Sequence, residues 1–470
     1  MNANLASKAI PLSLAVIGAA VLALWLAVEP QQANVTLRLP GQDQRDPATQ
    51  PAIIVNIEGT FAPGQGTPSD LPGSWPCFRG PRFDAISTEQ IPLSREWKTA
   101  GPPKLWSLPV GEGHAGAAIA KGRVYLLDYD EVNRGDALRC LSLADGKEIW
   151  RRFYAIDIGR DHGISRTVPS VTDKYVLTIG PKCQVMCADA TSGQYKWGID
   201  LVREYNFLVP QWYNGQCPLI DGDRVILAPG GDSLLIAVDL ETGNVLWKTP
   251  NPRKWLMTHS SVIPMTFNGA KMYLYCASGG AVGVSATDGA ILWEMPEWKV
   301  KMANVPSPLP VGEDRIFLTG GYGAGSMMLR LVPSASGIKP TILYRLAPAV
   351  FGAEQHTPIY YKGFIYGLLA PKGQLVCLDP DGRVRWKTGA KDRFGAGPFM
   401  IADGLLIVLN ENGTLALVEA TETGYKPVAS AKVIEKADQA WGPLALAGGR
   451  LIARDMTQMV CLDLRKVPND

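Results

Sequence analysis

The sequence predicts an all-β fold, an eight-bladed β-propeller closed into a ring and preceded by one transmembrane helix. Three observations predict it: a turn that recurs every 42 to 50 residues, strand-like runs between the turns, and two partial units at the ends that complete each other. The turns are ADGK, TSGQ, ETGN, TDGA, ASGI, PDGR and ETGY, centred on Gly146, Gly193, Gly243, Gly289, Gly337, Gly382 and Gly424. Their spacings of 47, 50, 46, 48, 45 and 42 residues suit a four-stranded blade. Gly (49) and Pro (36) punctuate the chain often, which favours many short strands over long helices.

Each unit divides into strands A to D. In the first, Ala115–Ala120 is expected as A, Arg123–Asp128 as B, Leu138–Leu143 as C and Glu148–Phe153 as D. RVYLLD and LRCLSL alternate as strands with one buried face do. Asp-Gly and Thr-Gly supply the positive φ of a tight C–D hairpin. An A-strand signal occurs eight times, near AGAAI, VPSV, CPLI, SSVI, SPLP, TPIY, GPFM and GPLA.

The chain ends set the blade number. Met459–Leu464 reads as a C strand with no D strand after it, and Lys104–Val110 as a D strand with nothing before it. Joining them completes an eighth blade and removes two open sheet edges.

Between Lys8 and Glu29 lie twenty uncharged residues, Ala9 to Val28, about the ~20 that cross a bilayer as a helix. Neither Ala27-Val28-Glu29 nor Gln31-Gln32-Ala33 makes a small-x-small cleavage site, so an uncleaved signal anchor is expected, with a cleaved signal peptide as the alternative; both place the rest of the chain outside the cytoplasm. The expected organisation is a cytoplasmic N-terminus (1–8), a transmembrane anchor (9–28), a Pro/Gly/Gln-rich linker (29–73) and the propeller (74–470). The protein is then single-pass in the cell membrane, its propeller on the periplasmic or extracytoplasmic side. Ala52–Ile57 reads as a short strand with no assigned place. A formal charge of +2 with no basic block argues against nucleic acid as a partner.

The run Asp239-Leu-Glu-Thr-Gly-Asn-Val-Leu-Trp247 resembles the tryptophan-docking repeat of quinoprotein-like (PQQ-like) propellers, and Trp75-Pro-Cys-Phe-Arg-Gly-Pro81 resembles the lead-in of bacterial proteins with that repeat. The likeness covers roughly residues 74 to 466. It implies that Trp106, Trp150, Trp197, Trp247, Trp293 and Trp386 pack between neighbouring blades. Thr341 and Val428 break the Gly-to-Trp spacing in two units.

Eight cysteines in an exported chain raise the question of disulfides. Cys140, Cys187, Cys377 and Cys461 occupy one strand-C position in four blades, too far apart to pair. Cys183 and Cys187 lie roughly 13 Å apart along one strand. Cys77, Cys217 and Cys276 remain open as partners. No CxxC spacing signals zinc or c-type haem.

The resemblance raises a pyrroloquinoline-quinone oxidoreductase with calcium. An adjacent Cys-Cys pair, a haem motif and a recognisable Glu/Asn/Asp calcium set are not found. The expected function is therefore a monomeric binding scaffold of the cell envelope, without a cofactor, that takes an envelope protein or a small polar ligand. The alternatives are the quinone-dependent dehydrogenase and a sugar-binding propeller. The propeller subunit of the β-barrel assembly machinery, BamB, is the non-enzymatic family similar in repeat; its lipid-bearing Cys has no counterpart here before Cys77.

One face stands out. All four histidines, His114, His162, His259 and His356, fall in or beside a D-to-A connector. Such connectors gather at one mouth of a propeller channel. Arg166, Trp212, Tyr213, Asn214, Gln216, Asn304 and Trp441 lie in matching connectors, supplying charge, aromatic faces and amides. The expected ligand funnel is His114, Arg166, Trp212, Asn214, Gln216, His259, Asn304, His356 and Trp441, with no catalytic or metal-binding residue assigned. Its histidines suggest binding that changes between about pH 5 and 8.

Overall fold

The computed structural model describes residues 3–27, 54–98, 101–159, 162–335 and 337–466. It divides into two units, 1–39 and 40–470. The first is the helix Ala3–Ala27, with Pro11 inside it. Among its described side chains, Ile10, Leu12, Leu14, Val16, Ile17, Val21, Leu22, Leu24 and Trp25 are exposed. Among the described residues no helix is long and apolar enough to cross a membrane. Val28 and the expected linker up to residue 53 lie outside the described residues.

The second unit is a ring of eight antiparallel sheets. Blade 1 has Ala118–Ala120 as strand A, Arg123–Asp130 as B, Gly135–Ser142 as C and Glu148–Ala155 as D. Strand A begins three residues later than the sequence suggests, because Ala115 to Ala117 still belong to the connector. Strand A of each following blade is Ser170–Val171, Leu219–Asp221, Ile263–Phe267, Leu309–Val311, Ile359–Tyr361, Phe399–Ala402 and Ala445–Ala447. The ring closes as the sequence predicts: Lys104–Pro109 pairs antiparallel with Gln458–Asp463, setting Trp106 opposite Cys461 and Leu108 opposite Met459.

The seams between blades explain the repeat. Gly146, Gly193, Gly243 and Gly289 take φ of 70–74°, and a Cβ there would lie 2.4–2.9 Å from the indole of Trp106, Trp150, Trp197 and Trp247 of the preceding blade. Trp106, Trp150, Trp197 and Trp386 donate Nε1–H to the carbonyls of Leu143, Thr191, Leu240 and Thr421 in the next blade. The turn glycine is thus selected twice, for its backbone and for the ring lying on it. Where Thr341 breaks the spacing, Tyr344 takes over: its ring lies on Gly382 and its hydroxyl donates to Pro380 O at 3.1 Å. Trp293 turns onto its own blade, its indole against Gly283, yet remains in the cluster shared by blades 4 and 5.

A second set of bonds links the blades just before strand A. Val168 N donates to Cys217 Sγ, Cys217 N to Ser261 Oγ, Ser261 N to Ser307 Oγ, and Ser307 N to Thr357 Oγ1, at 2.8–3.2 Å. One residue per blade carries the chain from blade 2 to blade 6. The matching residue of blade 1 is Gly116, where a Cβ would stand 2.8 Å from Val168 Cγ2.

Of the strand expected at 52–57, residues 52 and 53 lie outside the described residues and 54–57 form no strand; a strand lies a few residues later. Thr60–Pro63 pairs antiparallel with Glu148–Ala155 and gives blade 1 a fifth strand. All eight cysteines are free and buried, Cys77, Cys217 and Cys276 included.

Removing residues 74–110 is expected to abolish the single cooperative unfolding transition, because it opens the ring. Trp106→Ala, which empties one seam, should cost about 3–5 kcal/mol. Both are read by thermal unfolding, and an unchanged profile of the truncation would contradict closure.

Candidate functional site

The D–A connectors and the B–C loops meet at one end of the channel, and the predicted residues sit there in two groups. Asn214 and Gln216 are fully buried and serve the backbone. Gln216 exchanges two bonds with Ala228, donating to its carbonyl at 3.2 Å and accepting from its N–H at 2.9 Å. Asn214 closes on Gln216 in the same way. These amides pin the third connector to its own blade.

The other group faces the channel mouth. The Arg166 guanidinium donates to Trp212 O at 2.6 Å and to His162 O and Gly163 O at 3.0 Å. His114 Nε2 lies 3.1 Å from the same His162 carbonyl, and its ring stacks on Trp441 with centroids 5.1 Å apart. Trp441 in turn donates Nε1–H to Glu411 Oε2 at 3.4 Å. Trp212 and Tyr213 both hold positive φ, 62° and 67°. Two consecutive left-handed non-glycine residues store strain that only tertiary contacts sustain. Here Arg166 holds the Trp212 carbonyl, and the Tyr213 hydroxyl donates to Gly159 O at 2.8 Å.

Among the described residues, several buried polar atoms at this end have no hydrogen-bond partner: His114 Nδ1, Ser165 Oγ, Ser260 Oγ, both amide atoms of Asn304, and His356 Nε2. The carbonyls of Ala396 and Trp441 are near His356, but neither is in hydrogen-bond geometry with Nε2. An unpartnered buried polar group costs about 1–3 kcal/mol, and five connectors carry one.

The electrostatics follow from burial and arginine. Desolvation, then Arg166, pushes His114 down to about 3 and His259 down to about 4. Desolvation, then Arg79, pushes His356 down to about 4. These three imidazoles therefore stay neutral between pH 5 and 8, unlike the titration expected from sequence. The pH sensitivity moves to stability. The unfolded chain takes up protons below about 6.5 while the folded one does not, so stability falls from there toward pH 4.

Sequence reasoning missed the Tyr322–Glu354 pair, where a B–C loop meets a connector. Burial raises both groups, and Arg166 is close enough to act on Tyr322. Glu354 stands two residues before His356 in one connector, a signal that was legible. Asp136 and Tyr154 were also missed. Tyr154 donates to Asp136 Oδ2 at 2.5 Å in a fully buried pair at the connector end of blade 1.

Among the described residues no group of three His, Cys, Asp or Glu could hold a metal ion. Two surface depressions, of about 430 and 900 Å³, lie at the rim of blade 8 and beside the blade 4–5 hairpins, and neither is lined by the predicted funnel residues.

Burial pushes Asp136 up to about 7 from an ordinary value of 3.8. Above pH 3.8 the unfolded chain loses this proton while the folded one keeps it, so a native-state penalty grows up to about pH 7. Asp136→Asn is expected to raise unfolding free energy at pH 8 and to leave it nearly unchanged at pH 4, as measured by urea titration. An equal effect at both pH values would contradict the burial of a neutral acid.

A family model described as outer membrane protein assembly factor BamB matches residues 133–337. A search of curated proteins returns no match. Among solved structures, BamB from Moraxella catarrhalis superposes with a TM-score of 0.55 and 12% identity over 77% of this chain and 99% of that one. Quinohemoprotein alcohol dehydrogenase ADHIIG from Pseudomonas putida HK5 superposes at 0.56 and 13% identity, over 85% and 82%. The computationally designed Ika8 protein does so at 0.51 and 12%, over 77% and 100%. Identities this low speak for fold alone. The repeat, the closed eight-bladed ring and the tryptophan seams are those of a quinoprotein-like (PQQ-like) β-propeller fold, and residues 133–337 are similar to the repeat of the outer-membrane protein assembly factor BamB.

Proposed function

We propose that this protein is a membrane-anchored, extracytoplasmic binding module of the cell envelope, and that it is not a working dehydrogenase. Its recognition surface is the connector mouth, where it takes a small polar ligand. The observation that carries this reading is the set of unpartnered polar atoms that five connectors bring to one end of the channel. Arg166 supplies a fixed positive charge there, Trp212 and Trp441 supply aromatic faces, and the neutral histidines can each donate or accept. The anchor is supported by the twenty uncharged residues from Ala9 to Val28, and by the exposed apolar side chains along the N-terminal helix. BamB shares the fold and repeat of this chain, which accords with a non-enzymatic role. The protein acts as a monomer, and nucleic acid is not a partner.

The test uses whatever small molecule or protein co-purifies with the full-length protein, identified by mass spectrometry. Combined His259→Ala and His356→Ala changes are expected to lower its retention by about tenfold or more. Lys147→Ala, on the opposite hairpin face, should leave retention unchanged. If Lys147→Ala abolishes retention while the folded double variant keeps it, the site lies elsewhere.

Supplied with pyrroloquinoline quinone, calcium and an artificial dye acceptor, the protein is expected to reduce no dye with alcohols or sugars. Dye reduction that requires both quinone and substrate would replace the binding reading with the dehydrogenase one.

A further inference from the structure

The segment before the first blade crosses the central channel. Trp75 exchanges backbone bonds with Ile119 in strand A of blade 1, each at 2.8 Å, and Pro76 O accepts from Val171 in blade 2. Arg79 then reaches the far side of the ring, donating Nη1–H to Thr357 O at 2.8 Å and Nη2–H to Pro358 O at 2.9 Å in blade 6. Ala85 O and Ser87 N bracket Ile401 in strand A of blade 7. Phe78 and Phe83 pack on the clusters of blades 1–2 and 3–4. Strand A is the innermost strand of every blade, so a segment bonded to strand A of blades 1, 2 and 7 and to the two residues just before strand A of blade 6 has to span the channel.

Its flanks show the end from which it enters. Ser69 N donates to Gly122 O, Glu89 accepts from Gly448 N, and Asp403 accepts from Leu93 N. All three are A–B turns, on the hairpin face. From there the segment dips inward until Arg79 lies under the connector that carries His356, close enough to depress that imidazole. Its backbone is left-handed at Arg79, Gly80, Phe83 and Ala85, with φ between 59° and 76°. Three of these four are not glycine, so packing and the Arg79 latch must hold the segment against its local preference.

We propose that residues 75–87 are an intramolecular plug, latched by Arg79, which closes the channel at the hairpin face and can be released without unfolding the blades. The channel is then a blind funnel, entered from the connector mouth alone, and the chain itself occupies the end that another segment would need for through passage.

Buried cysteines report on this. Cys77 lies in the plug and is close enough to Cys217 of blade 3 to raise its own thiol further, whereas Cys140, Cys187, Cys377 and Cys461 sit inside blades. The full-length protein is treated with a water-soluble maleimide, and each cysteine is followed by peptide mass spectrometry. In Arg79→Ala, Cys77 and Cys217 are expected to react about tenfold faster than in the wild type or more, as local opening allows. The four blade cysteines should keep their wild-type rates. If the folded variant leaves Cys77 and Cys217 at wild-type rates, the latch is refuted. Should Arg79→Ala fail to fold, the wild-type chain is labelled across urea concentrations below its unfolding transition. Opening of Cys77 ahead of the blade cysteines then supports a separable plug, and opening of all of them together overturns it.

Discussion

The pairing of Lys104–Pro109 with Gln458–Asp463 is the constraint on which the rest depends. A propeller blade buries its faces only against two neighbours, so an open row would leave two blades half-exposed and two strand edges unpaired. Joining both ends of the chain in one sheet turns eight equivalent seams into a closed set. No seam can then widen without straining the others. The lead-in reinforces this from within, because it bonds at or just before innermost strands on opposite sides of the ring.

Closure also fixes the connectors. The chain of bonds from Val168 through Cys217, Ser261 and Ser307 to Thr357 sets each connector relative to the next, two residues before the start of each strand A. Gly116 keeps blade 1 within the same tight spacing, where a side chain would collide with Val168. The strained Trp212–Tyr213 pair, the Arg166 guanidinium and the stacked His114–Trp441 rings are supported on this frame. A site assembled from five or six blades needs such a frame, since each blade contributes one or two groups and their separations decide whether they act together.

Electrostatically, the mouth and channel floor are set by arginines bound to backbone carbonyls. Arg79 and Arg454 are buried and donate to backbone carbonyl oxygens of neighbouring segments. Arg166 likewise holds three carbonyls in the connectors. This arrangement gives polar backbone a partner where the channel narrows, and it leaves fixed positive charge beside imidazoles that burial already keeps neutral. The histidines consequently serve as neutral donors and acceptors, and not as titrating switches.

The sequence by itself determined the blade number, the circular closure and the tryptophan seams. These follow from short-range chemistry repeated many times: a positive-φ glycine at each C–D turn, period-two alternation in the strands, and an aromatic residue four positions on. Tyr344, which replaces a missing tryptophan, stayed hidden because its reach to Gly382 depends on the lengthened strands of blade 5. The identity of the connector face was likewise legible, since topology alone gathers those loops at one end. Only the tertiary structure decided what each connector residue does there. Asn214 and Gln216 look like ligand groups in sequence, yet they bond their own backbone; Tyr322 and Glu354 meet only because a B–C loop and a connector converge. The lead-in, a Pro- and Gly-bearing run with no periodicity, shows no sign in sequence of crossing the channel. Its place is set by contacts with residues as far as 359 positions away, and long-range pairing of that kind leaves no local pattern to read.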